Sequence, residues 1–376
     1  MLPARADTKP SLADVFPSCL AALSGEVNRL GLRAAQSAVV VLVDGLGQRA
    51  LTQWLGHTHT LRAHAASSIS IESGFPTTTA SALATLTTGT LPGQHGMVGY
   101  AVLDESTGRV VNQLSGLPSG DWQLQPTVFE RAVAAGFRAR VIAAERYRGT
   151  TFTDGVLRGA EFTAGASIQD RMDAAASALT APGPAQLIYV YVPELDQAAH
   201  LHGWESAQWT AALEKLDAAL GSLELALGAH DGLIVTGDHG MVDVAPHNHV
   251  LFDTVPQLMS GVAHVGGEPR CLQLYFDPAA SDDVRAATVA AWRDSEQKRA
   301  WVATKQELAE AGWLGAVAPG VSPRLGDLFI AARKAIAYYP SDASSGSRGM
   351  VGQHGSLTQD ELRVPLLQFG AFERQA

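Results

Sequence analysis

The stretch SAVVVLVDG at residues 37–45 sets the expectation for the fold. The seven residues before its acid are mostly apolar and β-branched, which is typical of a strand buried on both faces. Two later strands end in the same way: QLIYVYV at 186–192 runs into Pro193-Glu194-Leu195-Asp196, and GLIVTG at 232–237 runs into Asp238-His239. The sequence therefore predicts three interior strands, each followed by a loop that contains an acidic residue.

Helix-like stretches separate these strands at 127–135, 168–180 and 206–227, and VIAA at 141–144 reads as a further interior strand. Alternation of this kind predicts an α/β sandwich around a mostly parallel sheet. In open sheets of that type, ligands bind just outside the carboxyl ends of the strands. The acids that follow the three strands are therefore expected to converge in space.

The alternation of strands and helices changes between about 252 and 345. We predict a small α+β cap insertion there, beside the region where the acids are expected to converge. Its expected strands and helices are CLQLYF (271–276), helices near 281–295 and 304–311, DLFIAAR (327–333) and AIAYY (335–339). SDASSGSRG (341–349) is rich in glycine and serine and is suited to a mobile loop. The main α/β domain is then discontinuous, comprising 1–251 and 346–376, and VPLLQFG (364–370) is its last strand.

Composition narrows the class of protein. The chain has 376 residues, of which 46% are hydrophobic, enough for a sizeable core. Its formal net charge of −10 argues against a nucleic-acid-binding domain that works by general phosphate neutralisation. An acidic chain can still act on phosphate esters where metal ions supply the positive charge.

The cysteines and the first residues carry little chemistry. Cys19 and Cys271 lie far apart without a C-x-x-C pair, so neither a disulfide framework nor a thiolate zinc site is indicated. The opening MLPARADTKPSLADVF has no apolar leader, and no later run approaches the length that spans a bilayer. We therefore expect a cytoplasmic protein without a membrane segment, while its oligomeric state cannot be read.

Five segments carry residues with metal or phosphate chemistry: VDGLG (43–47), FPTTTASALATLTTG (75–89), ELDQAAH (194–200), TGDHG (236–240) and GQHGS (352–356). Within ELDQAAH, Asp196 and His200 are four residues apart, so on a helix they share a face and can share a cation. Adjacent carboxylate and imidazole groups at Asp238 and His239 suit zinc or manganese. Each segment alone also has an ordinary explanation as a cap, turn or loop.

FPTTT reads as a loop that enters a helix ending at Gly89. A threonine at such a position is commonly an N-cap. Beside metal ligands, the backbone N–H groups at the helix start can hold an anion, and the threonine hydroxyl can act as a nucleophile. Capping and catalysis are compatible at this position.

Taken in order from about residue 37 to 368, these segments resemble the alkaline phosphatase superfamily and particularly its type I phosphodiesterase/nucleotide pyrophosphatase family. That family has an Asp after its first strand, Phe-Pro-x-x-Thr with a Thr-Gly ten residues on, D-x-x-x-H, D-H-G and a final His-Gly. All of these elements are present here. The register of the family pattern selects Thr79 as the nucleophile, with Thr78 as the alternative.

The resemblance implies a three-layer sandwich and a two-metal site. Carried over by position, one divalent ion is held by Asp44, Thr79, Asp238 and His239, and the other by Asp196, His200 and His354. The implied ions are zinc, with manganese as the alternative. The implied reaction cleaves phosphodiester or nucleotide pyrophosphate bonds of a small substrate through a phosphothreonine intermediate.

One position departs from the family pattern, because Tyr100 stands where nucleotide pyrophosphatases have a phosphate-binding asparagine. A tyrosine hydroxyl can also donate to a phosphate oxygen, or the ring can simply pack. Phosphomonoesterase and phosphonoacetate hydrolase activities stay open, as does a non-catalytic metal-containing binding protein. We expect the remaining nearby histidines to lie outside the ligand set, and Arg146 and Arg148 to lie in a solvated loop.

Overall fold

The computed structural model describes residues 2–6 and 8–374. Seventeen strands lie within these residues: β1 (Ser37–Val43), β2 (Ile69–Glu72), β3 (Ala101–Asp104), β4 (Arg109–Asn112), β5 (Arg138–Ala143), β6 (Glu161–Ala164), β7 (Gln186–Val192), β8 (Asp231–Gly237), β9 (Val242–Asp243), β10 (His249–Leu251), β11 (Val262–Glu268), β12 (Cys271–Phe276), β13 (Ala300–Thr304), β14 (Leu328–Ala332), β15 (Ala337–Tyr339), β16 (Gly352–Gln353) and β17 (Arg363–Gly370). All eight predicted strands are present, with bounds that shift by up to three residues.

Fourteen α-helices lie within the same residues: α1 (Val15–Leu23), α2 (Gln48–Trp54), α3 (Thr60–Ala65), α4 (Thr79–Thr88), α5 (Pro92–His95), α6 (Val128–Ala134), α7 (Thr151–Val156), α8 (Ile168–Thr180), α9 (Glu194–His202), α10 (Ala207–Leu225), α11 (Asp282–Glu296), α12 (Lys305–Glu310), α13 (Ser345–Arg348) and α14 (Gln359–Leu362). None of the described helices is both long and apolar enough to cross a membrane.

The main sheet has seven strands in the order β2-β17-β8-β1-β7-β5-β6. Its central strand β1 pairs in parallel with β7 on one side and β8 on the other, and Val43 is level with both Val192 and Gly237. The strands from β8 to β6 are parallel, while β17 and β2 continue the sheet in antiparallel pairs. The residues that follow β1, β7 and β8 therefore emerge at one edge, as predicted.

Alternate residues of β1 separate two hydrophobic cores. Ala38, Val40 and Leu42 belong to the core that packs against α1, α4 and α6. Val39, Val41 and Val43 belong to the core that packs against α8, α9 and α10. Because helices cover both faces, all seven residues of β1 are buried, which explains their apolar run. The predicted α/β sandwich around a mostly parallel sheet is confirmed.

A second sheet lies in the order β13-β14-β12-β11-β3-β4. Four of its strands come from the predicted cap at 252–345, and the hairpin β3–β4 comes from earlier in the chain and joins β11 through the pair Gly267–Ala101. The division of the chain at 252 and 345 stays a prediction, and Met1, Asp7, Gln375 and Ala376 of the predicted main domain lie outside the described residues.

The stretch 341–349 is not a loop throughout. Ser344 accepts a hydrogen bond from the backbone of Ser347 and begins the short helix α13. A serine just before the first residue of a helix can cap it by accepting a backbone N–H, and Ser344 does so here. The serine-rich composition is therefore compatible with a short helix.

Candidate active site

The acids after β1 and β8 are brought together by the turn that follows β1. The backbone N–H of Gly45 donates to Asp238 Oδ1 at 3.0 Å, which ties the two strand ends to each other. Gly45 has φ of +73°, and a Cβ there would lie 3.1 Å from the Cα of Asp196. Only glycine fits this turn without strain or a close contact. The loops after all three central strands therefore meet at Gly45.

The three consecutive threonines have three different partners. Thr77 donates its hydroxyl to the carbonyl of Ser356 at 2.8 Å, and the Thr78 side chain lies near the Glu268 carboxylate. Thr79 is the first residue of α4, and its Oγ1 lies 3.2 Å from His239 Nε2 and 3.5 Å from Asp44 Oδ1. Thr79 is thus the threonine whose hydroxyl faces the acidic group.

Asp44, Asp238 and His239 form the first group of potential metal ligands, with one donor atom from each lying within 4.8 Å of the others. His239 Nε2 is 3.4 Å from Asp44 Oδ1 and 3.5 Å from Asp238 Oδ2. Both Asp238 and His239 are fully buried. Together with the Thr79 hydroxyl, these atoms surround one point.

A second group contains Asp196, His239 and His354. His200 adjoins it through Nε2, which is 3.3 Å from Asp196 Oδ1. The outer ring nitrogens are held by backbone carbonyls, because His200 Nδ1 lies 2.8 Å from the oxygen of Gly352 and His354 Nδ1 lies 2.8 Å from that of Thr77. A proton on each Nδ1 leaves Nε2 free as a ligand atom.

The structure therefore brings together all of the predicted metal-site residues: Asp44, Thr79, Asp196, His200, Asp238, His239 and His354. The grouping adds one feature, since His239 lies in both clusters and not only in that of Asp44. Which of these residues binds which ion stays a prediction.

The electrostatics of the site fit a divalent cation. Burial, followed by the charge of Asp238, raises the pKa of Asp44 well above its ordinary value. Burial likewise raises the pKa of Asp196 to about 8 and that of Asp238 to about 7. Asp196 Oδ1 and Asp238 Oδ2 are buried without a hydrogen-bond partner among the described residues. Three buried carboxylates and neutral imidazoles form a donor set that a cation would stabilise.

Tyr191 also belongs to the site, although sequence reasoning placed it only in a buried strand. Its hydroxyl donates to Asp44 Oδ2, so Asp44 is held by Tyr191 on one oxygen and faces Thr79 with the other. A tyrosine near the end of an interior strand was the available signal, since a buried hydroxyl needs a partner.

A cavity of about 320 Å³ lies beside this tyrosine. Its lining is largely aromatic and apolar, and includes Leu83, Tyr147, Phe152 and Tyr191. Arg146 also lines it, with an exposed guanidinium 4.9 Å from the Tyr147 ring. Because Tyr191 touches both the cavity and Asp44, the cavity adjoins the acidic group.

The remaining predicted positions lie farther out. Tyr100 is 41% exposed, and its described contact is a backbone hydrogen bond from Gln113, so its role in phosphate binding stays a prediction. His95 is buried against Thr85 of α4, with 3.0 Å between Nε2 and Oγ1. Arg148 is exposed and pairs with Glu145, in keeping with a solvated loop. The other histidines near the motifs, which lie at or close to the surface, are His202, His247 and His249.

A curated relative from Schizosaccharomyces pombe, an uncharacterised pyrophosphatase/phosphodiesterase, is 25% identical over 273 residues, which are 67% of this chain and 53% of the relative. This chain thus spans about half the length of that relative.

Two solved structures share the fold. An inactive form of murine ectonucleotide pyrophosphatase/phosphodiesterase 5 in complex with AMP aligns with a TM-score of 0.70 and 18% identity, covering 89% of this chain and 88% of that chain. Phosphonoacetate hydrolase from Sinorhizobium meliloti in complex with phosphonoacetate aligns with a TM-score of 0.70 and 17% identity, covering 90% and 91%.

The strongest indication of ancestry is the match to a family model. The model described as type I phosphodiesterase/nucleotide pyrophosphatase matches residues 38–357. That range contains every predicted metal-site residue from Asp44 to His354. With the fold and the converging acids, histidines and threonine, this match shows that the chain belongs to the type I phosphodiesterase/nucleotide pyrophosphatase family.

Proposed function

We propose that the protein is a metal-dependent hydrolase of phosphodiester or nucleotide pyrophosphate bonds, with Thr79 as its nucleophile. The observation that carries the proposal is the position of the Thr79 hydroxyl. It lies at the start of α4 and within 3.5 Å of both Asp44 and His239, two members of a buried group of potential metal ligands. A hydroxyl at this position can attack a phosphate held by the same ions.

The ligands divide between two ions in this proposal. Asp44, Thr79, Asp238 and His239 hold one, while Asp196, His200 and His354 hold the other. When bound, the ions supply positive charge that favours the ionised Thr79 hydroxyl and offsets the charge of the phosphate and leaving oxygen. A mixed set of carboxylates and imidazoles favours zinc, with manganese as the alternative.

The chain's own groups account for the covalent steps. Thr79 Oγ1 loses its proton to solvent and attacks the phosphorus, the bond from phosphorus to the ester oxygen breaks, and that oxygen takes up a proton from solvent as the alcohol or nucleotide leaves. Water then attacks the phosphothreonine, and the bond from Thr79 Oγ1 to phosphorus breaks to restore the hydroxyl. Because α4 begins at Thr79, its first backbone N–H groups can stabilise the oxygens of a phosphate that Thr79 attacks.

The cavity beside Tyr191 provides room for the group esterified to the phosphate. Its aromatic and apolar lining favours a planar or apolar group, such as the base of a nucleotide, over a small carboxylate. The murine relative binds AMP in the solved complex, which agrees with a nucleotide substrate.

A second candidate is phosphonoacetate hydrolysis. The Sinorhizobium enzyme of that activity has the same fold, and Arg146 at the rim of the cavity is a cation that could pair with a substrate carboxylate. Hydrolysis of phosphomonoesters needs no further residue than those already in the site. A binding protein without catalysis would use the same ligands but would not depend on the Thr79 hydroxyl.

The test compares four substrates with zinc- or manganese-loaded protein: bis-p-nitrophenyl phosphate, a p-nitrophenyl nucleoside monophosphate, p-nitrophenyl phosphate and phosphonoacetate. We expect the diesters to have the highest kcat/KM, and Thr79→Ala and chelated protein to be inactive. A higher kcat/KM for the monoester or the phosphonate contradicts the diesterase proposal. Full activity in Thr79→Ala contradicts the nucleophile, and no turnover with bound metal favours a binding protein.

A further inference from the structure

Glu268 reaches the proposed metal site from the second sheet. It is the last residue of β11, is 8% exposed, and its Oε2 lies 3.5 Å from His354 Nδ1. The same carboxylate lies near the Thr78 side chain, next to the proposed nucleophile. One side chain therefore contacts both a predicted metal ligand and the threonine loop.

The contact with the His354 loop is also steric. Gly355 has φ of +130°, and a Cβ there would lie 2.6 Å from Cδ of Glu268. The carboxyl group thus packs directly on the backbone of the residue after His354. Glu268 occupies the space that a side chain at residue 355 would fill. The loop and the carboxylate therefore restrict each other's positions.

The hairpin that carries Glu268 is anchored independently. Two residues on, Arg270 forms a bidentate pair with Glu361, with both N–O distances 2.8 Å and both side chains fully buried. Glu361 in turn accepts the backbone N–H of Ser356 at 2.9 Å. The β11–β12 turn is therefore attached, through Glu361, to the segment that follows His354, without relying on Glu268 itself.

The orientation of the His354 ring depends on the groups that contact its Nδ1. Its Nδ1 donates to the carbonyl of Thr77 at 2.8 Å, and Glu268 Oε2 approaches the same nitrogen from the second sheet. A ring held on its Nδ1 side presents Nε2 in a fixed direction, and partners of this kind tune the affinity of metal-binding histidines.

We propose that Glu268 is a positioning residue that holds His354 and the Thr78–Thr79 loop in register for binding of the ion assigned to Asp196, His200 and His354. The inference rests on the proposed function, because it concerns the same metal site. It assigns to the second sheet a share in building that site, through a carboxylate that does not itself bind the metal.

The test measures metal binding directly, by titrating metal-free protein with Co²⁺ and following its visible absorption and stoichiometry. The variants are Glu268→Ala, Glu268→Gln and the matched control Glu296→Ala. Glu296 is another buried glutamate beside the second sheet, where it accepts from the Tyr338 hydroxyl at 2.6 Å. Its recorded side-chain contacts are with Ser295, Arg299 and Tyr338, and none of these residues belongs to the proposed metal site. Thermal unfolding of each variant reports the general loss of stability.

We expect Glu268→Ala to weaken binding of one of the two Co²⁺ ions by about 10- to 100-fold and to change its absorption band. Glu268→Gln should recover most of this affinity, because the amide has the same size, packs on Gly355 in the same way and keeps an oxygen that can face His354. Glu296→Ala should bind both ions as the unaltered protein does, even where its Tm falls.

Three results would overturn the proposal: unchanged binding and absorption in Glu268→Ala, an equal loss in Glu296→Ala, or a loss in Glu268→Gln as large as that in Glu268→Ala. The last result would mean that charge, and not shape and hydrogen bonding, is what the site needs. If the unaltered protein binds two ions but hydrolyses none of the four substrates, the proposed function fails while the Co²⁺ titrations still decide the role of Glu268.

Discussion

The imidazole rings of His239 and His354 are stacked, with centroids 3.7 Å apart and planes inclined by 15°. One ring follows β8 and the other follows β16, so the stack joins the two halves of the proposed metal site. Burial lowers the pKa of His239 to about 3 and that of His354 well below its ordinary value. Both rings are therefore neutral at neutral pH, which is the form that binds a metal.

Metal-free protein is expected to lose stability as the pH rises from about 6.5 to about 8. The pKa is about 7 for Asp238 and about 8 for Asp196 in the folded protein, whereas the unfolded chain titrates these acids near 4. In this window the two acids bind more protons in the folded protein than in the unfolded chain. The free energy of unfolding therefore falls as the pH rises, until the folded acids have lost their protons. His239 does not oppose this trend, because it is neutral in both states above about pH 6.5.

Calorimetry in the presence of a chelator checks this prediction. Tm should fall across the window without metal and should rise or stay level with zinc, because a bound cation stabilises the ionised carboxylates. Asp196→Asn should reduce the slope of the metal-free protein. A metal-free Tm that does not fall between these pH values contradicts the assignment of protons to Asp196 and Asp238.

Thr79→Ala should reduce kcat by on the order of 10⁴-fold or more, the scale seen when an enzyme loses its nucleophile. Thr79→Ser is the matched variant, since it keeps a hydroxyl at the start of α4 and should keep measurable turnover. Initial rates on a diester, together with metal content, separate loss of the nucleophile from loss of metal. Retained activity in Thr79→Ala, or loss in Thr78→Ala alone, would move the nucleophile to Thr78.

The parallel sheet and its acids are predictable from sequence because each signal lies within one short segment. A run such as SAVVVLV can be buried on both faces only inside a covered sheet, and parallel neighbours then bring Asp44 and Asp238 to the same edge. The histidine and threonine residues also lie in short segments. The order of these segments along the chain resembles that of a known family, and this resemblance is what groups them into one site.

Glu268, Tyr191 and the hairpin β3–β4 are not predictable in this way, because their significance depends on contacts between distant segments. Glu268 meets His354 across 86 positions of chain, and Tyr191 meets Asp44 across 147. The hairpin joins the second sheet through the pair Gly267–Ala101, which no local pattern announces. The shared position of His239 between two clusters likewise emerges only from side-chain geometry.

The cytoplasmic location of the protein stays a prediction.

Tyr191→Phe should reduce kcat for diesters by about 10-fold or more while metal stoichiometry stays at two, because Asp44 loses the donor that fixes one of its oxygens. Tyr189→Phe is the matched control: Tyr189 lines the same cavity, but its buried hydroxyl has no hydrogen-bond partner among the described residues. Steady-state kinetics of both variants give the comparison. Equal losses in the two variants would mean that the Tyr191 hydroxyl has no particular role.

Arg146→Ala should raise KM by about 10-fold for substrates that carry a second anionic group, such as a nucleotide pyrophosphate or phosphonoacetate, since a charge-assisted hydrogen bond is worth about 1.5–3 kcal/mol. KM for bis-p-nitrophenyl phosphate should change little, because that substrate offers only the reacting phosphate to a cation. Arg148→Ala is the control, since Arg148 lies two residues away, pairs with Glu145 and donates to the Phe162 carbonyl at 3.1 Å outside the cavity lining. A rise in KM for every substrate, or the same change in both variants, would show that Arg146 does not bind the second anionic group of the substrate. The aromatic lining of the cavity would then be the only feature that distinguishes one substrate from another.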